Sequence, residues 1–235
     1  MSTSIIYLVP CTLAEDATAT IPPYIMEAVN NCSVIFAENE RSARRFLKSM
    51  DKNIVIDNFE WFAIHKAEEQ QLREFNQKIK EGKNIAIISE AGCPGIADPG
   101  QVLIAAAQQA NCLVKPLVGP SSILLALMAS GMNGQQFEFL GYLPIDNMER
   151  GKKLKEIEAA SLKNNSTKIF IETPYRNNQL LETIFQICAP TTKLCIASNI
   201  TAANETIRTQ TVASWKNKKP ELHKQPAIFL LYAGK

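Results

Sequence analysis

The sequence of 235 residues contains only two histidines and two tryptophans, and its six cysteines (Cys11, Cys32, Cys93, Cys112, Cys188 and Cys195) include no CxxC pair. A structural zinc site is therefore not expected, and cysteines this sparse do not describe a secreted disulfide scaffold. No metal is expected at all. The formal net charge is only +2, so no global field draws the chain to nucleic acid or a membrane, and only a local patch can do so. The apolar run at residues 123–129 has seven residues, far short of the roughly 20 a membrane-spanning helix requires. The opening MSTSIIYLVP lacks the basic region and long apolar stretch of a signal peptide. A cytoplasmic protein without membrane association is the expectation. Neither GxGxxG nor GxxxxGK[ST] occurs, which removes two familiar phosphate-cradling signatures.

What is present is ordinary for a globular protein, with 46% apolar and 20% charged residues. The length suits one large domain or two of roughly 110 to 120 residues. Strand-like and helix-like runs alternate. Strands are expected at 5–9, 33–37, 53–57, 84–88 and 112–116. Helices are expected at 22–30 (Tyr24, Ile25, Ala28 and Val29 on one face), 40–50, 66–80 and 102–110, with Gly82 placed to end the third. The second half has an apolar helix at 123–130, expected to be buried between domains. Strands at 137–141, 168–171, 193–198, 205–209 and 227–232 and helices at 148–162 and 176–188 complete it. The alternation predicts two α/β domains, residues 1–117 and 118–235.

Chemistry concentrates in loops. SEAGCPGIADPG (residues 89–100) packs three glycines and two prolines directly behind a core strand. It is either a structural turn or a backbone cradle, since glycine permits close approach and α/β sheets place ligands at strand carboxyl ends. Glu90 and Asp98 make a strongly anionic ligand a poor match. VGPSS (118–122) is either a hinge whose serines cap the next helix or a second ligand contact. VPCT (9–12) follows the first strand as one wall of the same crevice, with Cys11 read as a packing residue.

These loops carry a resemblance. YLVPCTLAED, SEAGCPGIADPG, PLVGPSSILLALMASGM, FEFLGYLP and FIETPYRNNQLLETI follow, in order and spacing, motifs of the tetrapyrrole (corrin/porphyrin) methylase superfamily. The chain is most similar to its branch of 16S ribosomal RNA 2′-O-ribose cytidine methyltransferases. The resemblance implies a two-domain tetrapyrrole-methylase-like α/β fold, S-adenosyl-L-methionine in a cleft between the domains, and a homodimer. By motif position the cofactor's neighbours are Pro10, Glu90, Ala91, Gly92, Gly119, Pro120, Ser121 and Ser122. Leu140, Gly141 and Pro144 fall near the adenosine side or the substrate mouth, and Ala227 near the last cofactor-facing strand.

The sequence also departs from the pattern. CTLAED replaces TPIGNL, and AENER (37–41) replaces AEDTR, keeping Arg41. ASNITAANE (197–205) replaces ARELTKxxE, so Ser198, Asn199 and Ala202 stand for Arg, Glu and Lys. Two positive charges are thus missing from a presumed RNA-facing edge. Basic clusters remain at residues 150–155, at Arg44, Arg45 and Lys48, and at Lys216, Lys218 and Lys219. Each is either a solvated face or part of a backbone-binding rim. Tyr175 and Trp215 either stack on a base or pack.

Removing the proton of a ribose hydroxyl calls for a base. Glu172 leads as candidate, with Glu38 and Arg41 behind it; the alternative for Glu172 is a structural hold on Arg176 or a backbone turn. A methyltransferase acting on small-subunit ribosomal RNA is the expectation. A tetrapyrrole or other small-molecule acceptor, or an inactive cofactor- or RNA-binding protein, are the alternatives.

Overall fold

A computed structural model describes residues 4–64 and 68–234, Glu68 by its backbone alone. Chain contacts divide it into two compact units, residues 1–121 and 122–235. The first unit runs β1 (Ile5–Val9), α1 (Tyr24–Asn30), β2 (Val34–Ala37), α2 (Glu40–Met50), β3 (Glu60–Ala63), α3 (Glu68–Lys80), β4 (Ile85–Ile88), α4 (Gln101–Gln109) and β5 (Leu113–Pro116). Its five strands are ordered β3-β2-β4-β1-β5 and every pairing is parallel. β4 is fully buried between β1 and β2, which is why IAII has no polar alternation. On one face, Ile25 and Val29 of α1 and Phe46 and Leu47 of α2 pack on Tyr7, Val9, Ile35 and Ala86. On the other, Phe75 of α3 and Leu103 and Ala107 of α4 pack on Ile6, Val34, Phe36 and Ile87. The period-2 alternation of each strand divides its residues between these two cores.

Two first-unit expectations need correction. The strand expected at 53–57 is not there, and the partner of β2 is EWFA at Glu60–Ala63. Lys48 Nζ donates to the carbonyls of Lys52 (3.2 Å) and Ile54 (2.6 Å), while Asp51 accepts the Asn53 amide at 2.8 Å. Groups a ladder needs are thus held locally, and Ile54 acts as a core plug. Tyr24 is 40% exposed rather than on the buried face of α1, because its hydroxyl accepts the Val118 amide at 2.7 Å. Lys66 and Ala67, the expected start of α3, lie outside the described residues, as does His65. The end of α3 is as expected: Gly82 takes φ +71°, and the amides of Gly82 and Lys83 return to Ile79 and Lys78 at 2.9 and 3.1 Å.

The second unit runs α5 (Ser122–Ser130), β6 (Phe137–Tyr142), α6 (Asn147–Asn164), β7 (Thr167–Ile171), α7 (Asn177–Ile187), β8 (Lys193–Ser198), β9 (Thr206–Thr211), α8 (Val212–Asn217) and β10 (Ala227–Tyr232). Its sheet is mixed, ordered β6-β7-β10-β8-β9, with only the β6–β7 pair parallel. Leu180, Leu181, Ile184 and Phe185 of α7 pack on Phe170, Leu194, Ile196 and Phe229. α8 was not expected; Thr211 caps it by accepting the Ser214 amide. No helix among the described residues is long and apolar enough to cross a membrane.

α5 is not the buried helix its composition suggests. Ala126 and Leu127 are buried, but Leu124 and Met128 are 51% and 78% exposed. The basic cluster at 150–155 also changes meaning, because Arg150 is fully buried. Its guanidinium donates to Thr183 Oγ1 (3.2 Å), the Ile145 carbonyl (3.0 Å) and Asn147 Oδ1. It therefore pins α6 to α7 and is closed to any ligand. Arg150→Ala is expected to cost on the order of 3 kcal/mol, combining lost packing with stranded acceptors. Urea unfolding measures this, and a loss below 1 kcal/mol would contradict the burial.

Candidate active site

The connection after β1 leads to α1 on one face of the first sheet, and that after β4 leads to α4 on the other. Neighbouring strands whose connections leave in opposite directions open a crevice at their carboxyl ends. Here the crevice is laced by backbone. Cys11 and Gly92 exchange amide–carbonyl bonds of 2.9 and 3.1 Å, which joins the loops after β1 and β4. Gly92 sits at φ +73°, a region side chains disfavour. Within SEAGCPGIADPG, Asp98 Oδ1 accepts the amides of Gly95 and Gly100 at 2.8 Å each, and Ser89 Oγ donates to the Gly92 carbonyl at 2.9 Å. The acid and the serine therefore shape the loop from within.

The third loop closes on the same place. A Cβ at Gly119 would lie 2.3 Å from ring carbons of Pro10, and one at Gly92 3.5 Å from the Pro120 carbonyl. The Cys93 thiol lies 3.5 Å from that carbonyl. Pro10, Gly92, Gly119 and Pro120 thus converge, with Glu90 and Ala91 beside them. Beside that convergence, between the loop after β1 and α2, lies a cavity of about 270 Å³ lined by residues 11–15, Ser42, Arg45, Phe46, Ser49, Glu90 and Ala91. Ligand pockets begin near 300 Å³, so this space suits part of a nucleoside-sized molecule.

Sequence reasoning missed Leu13, Glu15, Ser42, Arg45 and Ser49 as lining residues. The sequence showed Arg45 as part of a basic cluster, and the fold brings it over the loop after β1, where it pairs with Glu15 at 3.0 Å. Glu38 Oε2 accepts the Glu90 amide at 2.8 Å, and Glu90 Oε1 accepts from Asn39 Nδ2 at 3.2 Å. Asn39 also caps α2 through the Ser42 amide, a task asparagine performs as well as aspartate. Arg41 is exposed in the first turn of that helix. Of the lining residues two are carboxylates, Glu15 and Glu90, against the one arginine Arg45, so the cavity favours a positively charged group over a phosphate.

In the second unit, register places Glu172, Ala227 and Ser198 at one end of the sheet, beyond Ile171, at the start of β10 and at the end of β8. Glu172 is buried; Oε1 accepts from the Thr173 amide (2.7 Å) and from Arg176 Nε (3.0 Å) and Nη2 (2.6 Å). Its Oε2 and the neighbouring Asn177 Oδ1 are buried without a hydrogen-bond partner among the described residues. Leu140 and Gly141 lie at a register shift in β6, Gly141 at φ +67° with open space where a Cβ would stand; Pro144 is exposed. Ser121 is half-buried and Ser122 opens α5.

The departing stretch after β8 is explained by local bonding. Ser198 is buried, its hydroxyl 2.7 Å from that of Thr206. Asn199, at φ +52°, donates to Gln225 Oε1 at 3.1 Å. Trp215 cannot stack on a base: it is 7% exposed and donates to the Leu194 carbonyl. Tyr175 is 70% exposed and meets His223 edge-on at 6.0 Å.

The fold and its glycine-rich strand ends define a class before they define a reaction. A solved diphthine synthase superposes with a TM-score of 0.70, 12% identity, and coverage of 98% of this chain and 90% of that one. A uroporphyrin-III C-methyl transferase from Thermus thermophilus, solved with S-adenyl homocysteine, gives 0.58 and 11% over 97% of both chains. At such identity these likenesses show the fold. Residues 17–215 match the model of the tetrapyrrole (corrin/porphyrin) methylases, and the chain belongs to that family. It is a methyltransferase. A relative from Escherichia coli O157:H7 called "Ribosomal RNA small subunit methyltransferase I" is 33% identical over 86% of this chain and 67% of its own length.

Two predictions come from this geometry. Gly119→Ala forces Pro10 aside and is expected to lower stability by about 1–3 kcal/mol. Calorimetric melting checks it, and an unchanged midpoint would mean the two loops are not in contact. Burial pushes the thiols of Cys11, Cys32 and Cys188 up to about 12, helped at Cys11 by the charge of Glu38 and at Cys188 by that of Glu158. These thiols ionise near 9.0 once unfolded, so the folded form binds more protons above that pH. Their contribution to stability is complete below pH 9 and declines from there towards 12. Iodoacetamide at pH 8 is expected to spare all three until denaturant is added, as peptide mass mapping would report.

Proposed function

We propose that this chain methylates a ribose 2′-hydroxyl in small-subunit ribosomal RNA, with S-adenosyl-L-methionine as donor. The observation that carries the proposal is the 33% identity, over 86% of this chain, to the relative called "Ribosomal RNA small subunit methyltransferase I". S-adenosyl-L-methionine would supply the methyl group, carried on a sulfonium, for the ribose oxygen to accept.

The cradle fits such a donor in two ways. The loops after β1 and β4 are joined by the backbone pair of Cys11 and Gly92, and the cavity beside them is lined by two carboxylates against one arginine. Pro10, Glu90, Ala91, Gly92, Gly119, Pro120 and Ser121 are proposed to hold it, and Ser122, Leu140, Gly141, Pro144 and Ala227 are proposed on motif position. Glu38 shapes the cradle through the Glu90 amide. Arg41, exposed beside it, is offered to the substrate backbone.

Glu172 is proposed, on motif position, as the group that takes the hydroxyl proton, against the structural alternative of holding Arg176 and the Thr173 amide through Oε1. We further read the chain as a cytoplasmic homodimer, for which the uncovered Leu124 and Met128 of α5 supply apolar surface.

Titration calorimetry with S-adenosyl-L-methionine and its demethylated product tests the cofactor. Labelled methyl transfer to small ribosomal subunits from cells lacking the gene, followed by mapping of the product, tests the substrate. Incorporation into a small molecule instead of RNA would overturn the acceptor, and binding without turnover would overturn the activity. Glu172→Gln is expected to lower kcat about 10²–10⁴-fold while leaving KM for the RNA unchanged. A loss of stability with kcat retained would assign Glu172 a structural task instead.

A further inference from the structure

Among the described residues β9 is an edge strand paired only with β8. Register sets Thr206 opposite Ser198, Arg208 opposite Ile196 and Gln210 opposite Leu194. Directly opposed residues share a face of the sheet, and Leu194 and Ile196 belong to the buried cluster that includes α7 and Trp215. Arg208 and Gln210 therefore occupy core-side positions, where an edge strand closing a core carries apolar side chains. They line a cavity of about 510 Å³ instead, floored by Ile196, Trp215 and Leu222 and walled by residues 218–220.

The charge of this groove is positive. Arg208, Lys218 and Lys219 face it against the single carboxylate of Glu205, which already accepts the Thr201 amide at 2.7 Å. Arg208 and Lys218 enter no ion pair among the described residues. Lys219 lies 2.6 Å from Glu182 Oε1, but both side chains are about half exposed, and a competing anion opens such a pair at little cost. Glu205, the last residue of the loop between β8 and β9, lines the groove; Ser198, which ends β8, and Ala202 of the loop stand in place of arginine and lysine. Arg208 follows Thr206, the partner of Ser198, by two residues, roughly 7 Å along the strand. The positive charge missing from the loop is present on the strand behind it.

We propose that this groove holds the phosphodiester backbone of the RNA substrate, an inference that rests on the ribosomal RNA proposal above. A guanidinium fork suits phosphate oxygens, and Trp215 is too buried to stack on a base, so the contact is with backbone and independent of sequence.

The test is the binding of small ribosomal subunits and of a single-stranded 20-nucleotide RNA between 50 and 200 mM KCl. Arg208→Gln with Lys218→Gln is expected to raise Kd on the order of tenfold. The slope of log K against log salt should fall by about 1.4, or roughly 0.7 for each lost contact. Lys218→Gln alone should give half that change, and Lys163→Gln, outside the groove, none. Thermal melts confirm that each variant folds.

A wild-type protein that methylates RNA while the double variant keeps its full salt slope would overturn the groove alone, leaving Arg208 as a charge that guards the sheet edge. A wild-type protein that binds no RNA would overturn the groove and the substrate together. Polyglutamate competing as strongly as RNA would also overturn the proposal, since the groove would then be a general anion surface.

Discussion

The exchange of two backbone hydrogen bonds between Cys11 and Gly92 is the constraint on which the first unit's site depends. Parallel strands β1 and β4 deliver two loops to the same end of the sheet, but nothing in a parallel ladder fixes what those loops do afterwards. The bridge does, and it requires a residue at φ +73° at position 92, hence glycine. Once the two loops are joined, Pro10 sits under Gly119 and the third loop is located as well. Ser89 and Asp98 complete the arrangement by spending their polar atoms on the loop's own backbone. The result is a rim of peptide groups whose positions do not depend on long, mobile side chains, the kind of pre-organisation that positional catalysis needs.

Much of this was legible in the sequence, for identifiable reasons. Buried parallel strands such as IAII and amphipathic helices such as α3 and α7 announce themselves by period and by Gly82-type stops. Residues 53–57 misled because a short apolar run is compatible with a strand but does not require one: Lys48 and Asp51 hold the local backbone groups. α5 misled because an apolar composition says nothing about what covers each face. At the site, the glycine loops were visible as turn chemistry, whereas Arg45 and Ser49 were not, since no local pattern tells which side of a helix overlooks a loop far away in sequence. Assignment of a cofactor to those loops came from family resemblance, and composition or spacing alone left them open between turn and cradle.

Counting charges along the chain was the weakest guide. Arg150 heads a basic run yet is buried among neutral acceptors between α6 and α7, so it offers no direct contact to an external ligand. The loop after β8 has exchanged charged residues for ones that bond locally, Ser198 to Thr206 and Asn199 to Gln225. That loop is now held by neutral hydrogen bonds, and the cations of this region stand on β9 and the segment after α8. A near-zero net charge is thus compatible with strongly polarised patches, acidic around the first unit's cavity and basic along the second sheet's edge.

Neither sheet closes on itself, so among the described residues there are four open strand edges, each a template on which another chain can polymerise. β3 is only four residues long and begins with Glu60, paired to Lys78. β5 ends in Pro116, which has no amide to donate. β6 is broken by the irregularity at Gly141, and β9 turns a guanidinium inward. These are four different solutions to one hazard. A nascent first unit emerging from the ribosome would therefore already carry its own protection against clumping before the rest of the chain is made.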